Sequence, residues 1–256
     1  MKTKIYPKLT LVGAGPGDAE LITLKGIKAL GKANVVLYDA LVNKDILEYA
    51  PADAVKVYVG KRNKNHTYTQ AQINTLIVEL AHSYGHVVRL KGGDSFVFGR
   101  GLEEVRYAEL FEIETAVVPG ISSSIGVPAI SGIPVTHRGT SESFWVITGT
   151  TSSGKLSEDI KQAAETDATV VILMGVGKLK EIVEVYKNVG KDDTGIAIIQ
   201  NGTLPDEKLA IGNIDTILAI AARKKVQAPA VIVIGEVVKL SKRFPLRLSN
   251  LTHLLN

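Results

Sequence analysis

Arg89-Leu90-Lys91-Gly92-Gly93-Asp94-Ser95-Phe96-Val97-Phe98-Gly99-Arg100-Gly101 begins as the end of a strand and finishes as the start of a helix. Val87, Val88 and Leu90 form a short apolar run that stops at a double glycine. Gly99-Arg100-Gly101 then opens a helical pattern carrying Glu103, Glu104 and Arg106. Glycines at a strand end let another molecule approach the backbone closely. In open α/β sheets, ligands bind beyond the carboxyl ends of the strands. Acidic and basic groups set this close together cannot all be core residues. The stretch predicts a strand–loop–helix unit whose loop binds something.

The same alternation extends in both directions. Leu9–Val12, Val35–Tyr38, Val55–Val59, Val87–Leu90 and Ala116–Val118 read as strands. Leu21, Leu24, Ile27 and Leu30 share one helix face, and Ile73, Leu76, Ile77 and Leu80 another, behind a capping box at Thr69 and Gln72. Strands alternating with helices predict an α/β fold with a largely parallel sheet. The pattern pauses over residues 128–140, where prolines, glycines and hydroxyls suit a crossover. A second set follows. Phe144–Thr148, Thr169–Met174, Ile196–Ile199 and Ala230–Ile234 read as strands, and Ser157–Ala164, Leu179–Val189 and Ile214–Ala222 as helices. This predicts an N-terminal α/β domain over 1–138, a second over 139–240, and a tail over 241–256.

Composition narrows the function. Of 256 residues, 45% are hydrophobic, which suits a well-packed core rather than disorder. The formal charge of +4 comes from scattered basic residues, with no stripe or motif for nucleic acid, so a small polyanionic ligand is the easier reading. There is no cysteine, which excludes disulfides, thiolate catalysis and cysteine-bound metal, and fits a reducing compartment. His66, His82, His86, His137 and His253 lack metal-ligand spacing, so no metal is expected. Neither a signal peptide nor a membrane span is legible, and a soluble cytoplasmic protein is expected.

Leu11-Val12-Gly13-Ala14-Gly15-Pro16-Gly17-Asp18 imitates a dinucleotide fingerprint but fails it. Asp18 stands at the third glycine position, and Pro16 removes an N–H where a pyrophosphate needs donors. A ligand without phosphates fits better, such as S-adenosylmethionine, with a sulfonium and an amino-acid tail.

These residues carry a resemblance. Val12–Asp18, Val36–Val42, Val59-Gly60-Lys61-Arg62, Lys91–Asp94 with Phe96–Gly101, and Val118–Ser123 are similar, in order and spacing, to the motifs of the tetrapyrrole methylases. Pro134–Arg138, Met174-Gly175, Asn201-Gly202-Thr203, Pro229-Ala230 and Gly235-Glu236 continue the series, which spans residues 8–240. The resemblance implies two α/β domains with S-adenosylmethionine in the cleft between them, and a homodimer. It implies methylation of uroporphyrinogen III at C2 and C7 to give precorrin-2, feeding siroheme or cobalamin synthesis. By motif it assigns Pro16, Gly92, Gly93, Asp94, Val97, Ser122, Ser123, Met174, Gly202 and Ala230 to the cofactor. Ser122-Ser123 stands where the family often has Thr-Ala, and both keep a small hydroxyl-bearing site. It ties Asp39 and Lys61 to acid–base roles, and Arg100, Glu103 and Arg138 to substrate binding and catalysis.

The chemistry of the residues is compatible. Asp94 can accept hydrogen bonds from a ribose or an ammonium group. Ser122, after Pro119-Gly120 at an expected helix start, offers its hydroxyl and nearby free N–H groups. Uroporphyrinogen III carries eight carboxylates, and Arg100, Arg138, Lys61 and Arg62 are the cations expected to meet them. Glu103 lies one turn after Arg100 and Asp39 at a strand's carboxyl end, so either can serve as base. Glu103 is expected near the ring, with Asp39 and Lys61 supporting. At this length, no NAD-dependent dehydrogenase or chelatase module is expected. A methylase of a later cobalamin precursor, a diphthine synthase, a ribosomal RNA ribose methylase and a nucleotide-binding module without chemistry are the alternatives.

Overall fold

The computed structural model describes residues 5–60 and 68–245. The chain divides into two compact units, Met1–Ser123 and Ser124–Asn256. The sequence reading sets the division near residue 138, some way inside the second unit. The reason is packing: Ile133 is buried and Val135 half-buried in the same apolar cluster as Val171, Ala197 and Val233, so the supposed crossover belongs to the second core.

The first unit is a five-stranded sheet of β1 (Lys8–Gly13), β2 (Val35–Tyr38), β3 (Val55–Tyr58), β4 (His86–Lys91) and β5 (Glu114–Val118), in the order β3-β2-β4-β1-β5. Every pair is parallel. Alternate side chains enter two cores. Val12, Val36, Val88 and Leu90 pack on one face with Leu30 of α1 (Leu24–Leu30). Leu9, Leu11, Leu37 and Val87 pack on the other with α2 (Gln70–Tyr84) and α3 (Gly101–Glu109). The single helix face expected over Leu21–Leu30 is split. Asp18 caps a 3₁₀ turn at Ala19–Leu21, and Thr23 then caps α1. Competing caps end the first turn before it can join the second. The capping box at Thr69 and Gln72 forms as expected.

In the second unit, α4 (Ser123–Ile130) leads to a mixed sheet of β6 (Phe144–Thr148), β7 (Thr169–Leu173), β8 (Gly195–Gln200), β9 (Lys208–Asn213) and β10 (Ala230–Ile234), in the order β6-β7-β10-β8-β9. Only β6 and β7 run parallel; the other pairs are antiparallel. α5 (Asp159–Ala164), α6 (Leu179–Asn188) and α7 (Ile217–Lys224) complete it. β9 is a strand the sequence reading misses. The expected tail is packed where it is described: Phe244 lies against the Val171 cluster, and Arg243 Nη1 donates to Glu207 Oε1 at 2.8 Å. Among the described residues no helix is long and apolar enough to cross a membrane.

Candidate active site

β1 and β4 are neighbours, yet β1 continues to β2 on one side and β4 to β5 on the other. Their connections leave on opposite faces, through α1 and α3. That is a topological switch point, where α/β sheets bind ligands. Both glycine motifs lie there. The two loops stay paired past the strand ends. Ala14 N donates to Lys91 O at 2.8 Å, and Gly15 and Gly93 exchange backbone hydrogen bonds at 3.2 and 2.6 Å. The amides of Ala14 and Gly15 are thereby used, and Pro16 has none to offer. That leaves the loop poorly suited to a pyrophosphate. Asp18 turns its carboxylate inward as a cap, accepting from Glu20 N at 2.9 Å.

A third loop closes on these two. A Cβ at Gly13 would stand 2.5 Å from Gly120 N and 2.7 Å from Gly93 O, and one at Gly120 would collide with Gly93 O. Only bare backbone lets three strand-end loops meet this closely. Asp94 fixes the meeting. Its Oδ1 accepts from Phe96 N at 2.8 Å within its own turn, and its Oδ2 accepts from Gly120 N at 3.0 Å across to β5. Lone pairs remain on both oxygens for a ligand. Ser122 is buried, and Ser123 N lies 3.7 Å from where a Gly93 side chain would begin. Gly92, Gly93, Asp94, Ser122 and Ser123 are thus brought together. Pro16 follows in the paired loop, and Val97 N donates to Asp94 O at 3.3 Å.

Beyond Asp94 the chain turns tightly. Gly101 N donates to Ser95 O at 3.0 Å, and Cβ atoms at Gly99 and Gly101 would stand 2.5 and 2.6 Å from that oxygen. Phe98 and Arg100 are held left-handed, with φ of 52° and 58°. Such strain persists where the surroundings over-determine it. Arg100 stands at the start of α3, and its fork grips Glu103, with Nε to Oε1 at 2.8 Å and Nη2 to Oε2 at 2.7 Å. Both side chains are about half exposed, at 56% and 52%. Hydrogen bonding from Arg100 holds the Glu103 carboxyl below its usual range.

Asp39 ends β2. Its Oδ1 accepts from Leu41 N at 3.1 Å, and its Oδ2 faces Arg89 Nη2 at 3.4 Å. Arg89 belongs to a buried charge cluster. Arg89 Nε lies 3.4 Å and Lys91 Nζ 2.9 Å from Glu104 Oε1, which also accepts from Gln70 Nε2 at 3.1 Å. Burial, with Arg89 beside it, pushes the Lys91 ammonium down. Sequence reasoning passed over Glu104, Arg89 and Lys91 as site residues. The signal was available: Arg89 and Lys91 alternate with Val88 and Leu90 on a strand covered on both faces, so each needs a buried partner. Lys61 and Arg62 lie outside the described residues; Gly60 before them packs against the Ala40 backbone.

In the second unit, β7 and β8 end at the same edge, with the start of β10 between them. Met174 follows β7, Asn201-Gly202-Thr203 follows β8, and Ala230 opens β10. That edge is strained: Met174, Asn201 and Thr203 have φ of 55°, 50° and 74°. Gly202 leaves no room for a side chain against Val127 of α4. Met174 is 55% exposed, so it is not the core residue its type usually makes. Arg138 is exposed on the turn between His137 and Ser141.

Residues 8–218 match the tetrapyrrole (corrin/porphyrin) methylases, and the chain belongs to that family. It is 46% identical over 233 residues to a uroporphyrinogen-III C-methyltransferase of Methanocaldococcus jannaschii, covering 90% of this chain and 96% of that one. A siroheme synthase of Actinobacillus pleuropneumoniae is 45% identical over 239 residues, 93% of this chain but 49% of the longer protein. Among solved structures, the Thermus thermophilus uroporphyrin-III C-methyltransferase complexed with S-adenosylhomocysteine is similar at a TM-score of 0.77 and 37% identity. That likeness covers 91% of this chain and 99% of the other.

Proposed function

We propose that this chain transfers methyl groups from S-adenosylmethionine to C2 and C7 of uroporphyrinogen III, giving precorrin-2. The observation that carries the reading is the spent glycine-rich loop. Its Ala14 and Gly15 amides pair with the β4 loop and Pro16 lacks one, so the switch point suits a nucleoside without phosphates. Relatives named uroporphyrinogen-III C-methyltransferase at 46% identity support the choice of acceptor.

The residues present fit the cofactor. Asp94, anchored on two amides, has lone pairs for a ribose or an ammonium group, and buried Ser122 a hydroxyl. Pro16, Gly92, Gly93, Val97 and Ser123 are proposed contacts, as are Met174, Gly202 and Ala230. Bound S-adenosylmethionine supplies a methyl group that leaves sulfur for an electron-rich pyrrole carbon, giving S-adenosylhomocysteine. The chain's own tasks are to align that carbon, to meet the substrate's carboxylates and to take the proton the ring loses. Arg100 and Arg138 suit the carboxylates, because a guanidinium pairs them bidentately. Glu103 fixes the Arg100 fork, and that grip makes it a weaker base. Asp39, at a strand's carboxyl end, is the proton acceptor in this reading, with Lys61 assigned to the same chemistry by its motif.

We infer a homodimer working in the cytoplasm, which the lack of cysteine suits. Titration calorimetry separates this reading from a nucleotide-binding module. S-adenosylhomocysteine should bind, whereas NAD and ATP should not; tight NAD binding would overturn it.

A further inference from the structure

A carboxylate, a guanidinium and an ammonium lie buried together under the ends of β2 and β4. Glu104 is 1% exposed, Arg89 3% and Lys91 5%. Removing such charges from water costs several kcal/mol per ion, and apolar replacements are often as stable or more so. Core stability therefore does not account for them. Their arrangement has a direction. One oxygen of Glu104 collects Arg89, Lys91 and Gln70. The other, Oε2, is buried with no hydrogen-bond partner among the described residues. Arg89 passes the constraint outward. Its Nη1 donates to Leu90 O at 2.9 Å and Leu37 O at 3.5 Å, the latter one residue before the end of β2, and its Nη2 faces Asp39. The loop that follows has little freedom, since a Cβ at Gly92 would stand 2.6 Å from Leu41 Cβ.

We propose that Glu104 is a positioning residue: through Arg89 it holds the Asp39 carboxylate in place at the carboxyl end of β2. The catalytic consequence rests on the reading of Asp39 as a proton acceptor; the positional claim does not. A guanidinium held on one side by Glu104 and on its own strand by Leu90 O has one remaining direction, toward β2. Glu104 thus acts through another side chain rather than on the substrate.

Two measurements test this in the full-length protein. Leu41 N–H donates to Asp39 Oδ1, so its hydrogen exchange reports where that carboxylate sits. Glu104→Gln, which keeps the volume and one acceptor oxygen, should speed exchange at Leu41 roughly tenfold, as expected when a local hydrogen bond opens. Exchange at Gly26, held by the Thr23 cap elsewhere in the same unit, should not change. Unchanged exchange at Leu41 would overturn the proposal. Should Glu104→Gln fail to fold, Arg89→Lys keeps the charge but loses the fork, and the same Leu41 result is expected.

The second measurement is a double-mutant cycle on kcat for methyl transfer to uroporphyrinogen III. Glu104→Gln should lower kcat about tenfold in the parent and less than about twofold in an Asp39→Asn background, since contacting residues are non-additive. KM for S-adenosylmethionine should stay within about twofold, because the interaction removed is not with the cofactor. Equal losses in both backgrounds would contradict action through Asp39. Full activity in Asp39→Asn, with fast exchange at Leu41 in Glu104→Gln, would uphold the positional claim and remove Asp39 from the chemistry.

Discussion

Asp94 Oδ2 accepts a hydrogen bond from Gly120 N at 3.0 Å, so a single carboxylate joins the loop after β4 to the loop after β5. Asp94→Ala should therefore cost stability as well as cofactor affinity. Leaving a half-buried amide unpaired costs about 1–3 kcal/mol. Urea unfolding should show that loss, and calorimetry with S-adenosylhomocysteine should show weakened or absent binding. Asp94→Ala with parent stability and parent affinity would remove Asp94 from both roles.

The glycines of this site should not respond alike. At Gly93 a Cβ meets nothing closer than 3.7 Å, so alanine there bears mainly the cost of a φ of +67°, about 1–2 kcal/mol. At Gly120 the obstacles are the backbones of Gly93 and Gly13, which cannot turn aside. Gly120→Ala should cost at least about 3 kcal/mol, at the upper end of overpacking effects, and yield little folded protein. Thermal unfolding of the two variants checks the order.

Arg100 and Glu103 grip each other at the surface, and exposed pairs contribute little to stability, about 0–1 kcal/mol. Arg100→Leu should leave the melting temperature within a few degrees while kcat/KM for uroporphyrinogen III falls about tenfold or more, the equivalent of about 1.4 kcal/mol. A loss below about threefold would make Arg100 a plain surface charge. Single-turnover transfer in Glu103→Gln and Asp39→Asn then ranks the two carboxylates, the larger loss of kcat being expected for Asp39→Asn. The opposite order would return the base to Glu103.

His86 predicts a pH dependence of folding. Burial lowers its imidazole below the ordinary 6.5, only partly offset by its bond to the Lys32 carbonyl. Nδ1 must donate to that carbonyl at 2.9 Å, which leaves Nε2 to accept from Thr10 Oγ1 at 2.8 Å in the neutral ring. The unfolded chain therefore takes up the proton first. The stability from neutral His86 is complete above about pH 6.5 and is lost as pH falls from there through the lowered folded value. Urea midpoints at pH 7.5 and 5.5 should differ more in the parent than in His86→Gln; equal differences would contradict the assignment.

How much of this was legible depends on which forces act locally. The strands of the first sheet read directly, because each is a short apolar run closed by glycine, aspartate or a Pro-Gly pair, and the Thr69–Gln72 box marked the start of α2. β9 did not read, since Lys208–Asn213 offers only Leu209, Ala210 and Ile211 between polar ends, and its place at the sheet edge is set by pairing with β8. The division between units falls elsewhere for a similar reason: the prolines and glycines of residues 128–140 signal irregular backbone but not which core Ile133 joins. At the site, Asp94 and its glycines were found as residues, but their mutual hydrogen bonds were not. Glu104 was overlooked because one helical step separates an exposed carboxylate from a buried one, and only the packing of α3 on the sheet decides that Glu103 faces out.

The proposed reaction places two methyl groups on one acceptor. Incubating the protein with uroporphyrinogen III and methyl-labelled S-adenosylmethionine, then counting labels per product by mass spectrometry, tests it most directly. Two methyl groups on a single tetrapyrrole, with two equivalents of S-adenosylhomocysteine released, is the predicted result. No label on uroporphyrinogen III, under conditions where S-adenosylhomocysteine binds, would contradict it and assign the methyl group to another acceptor.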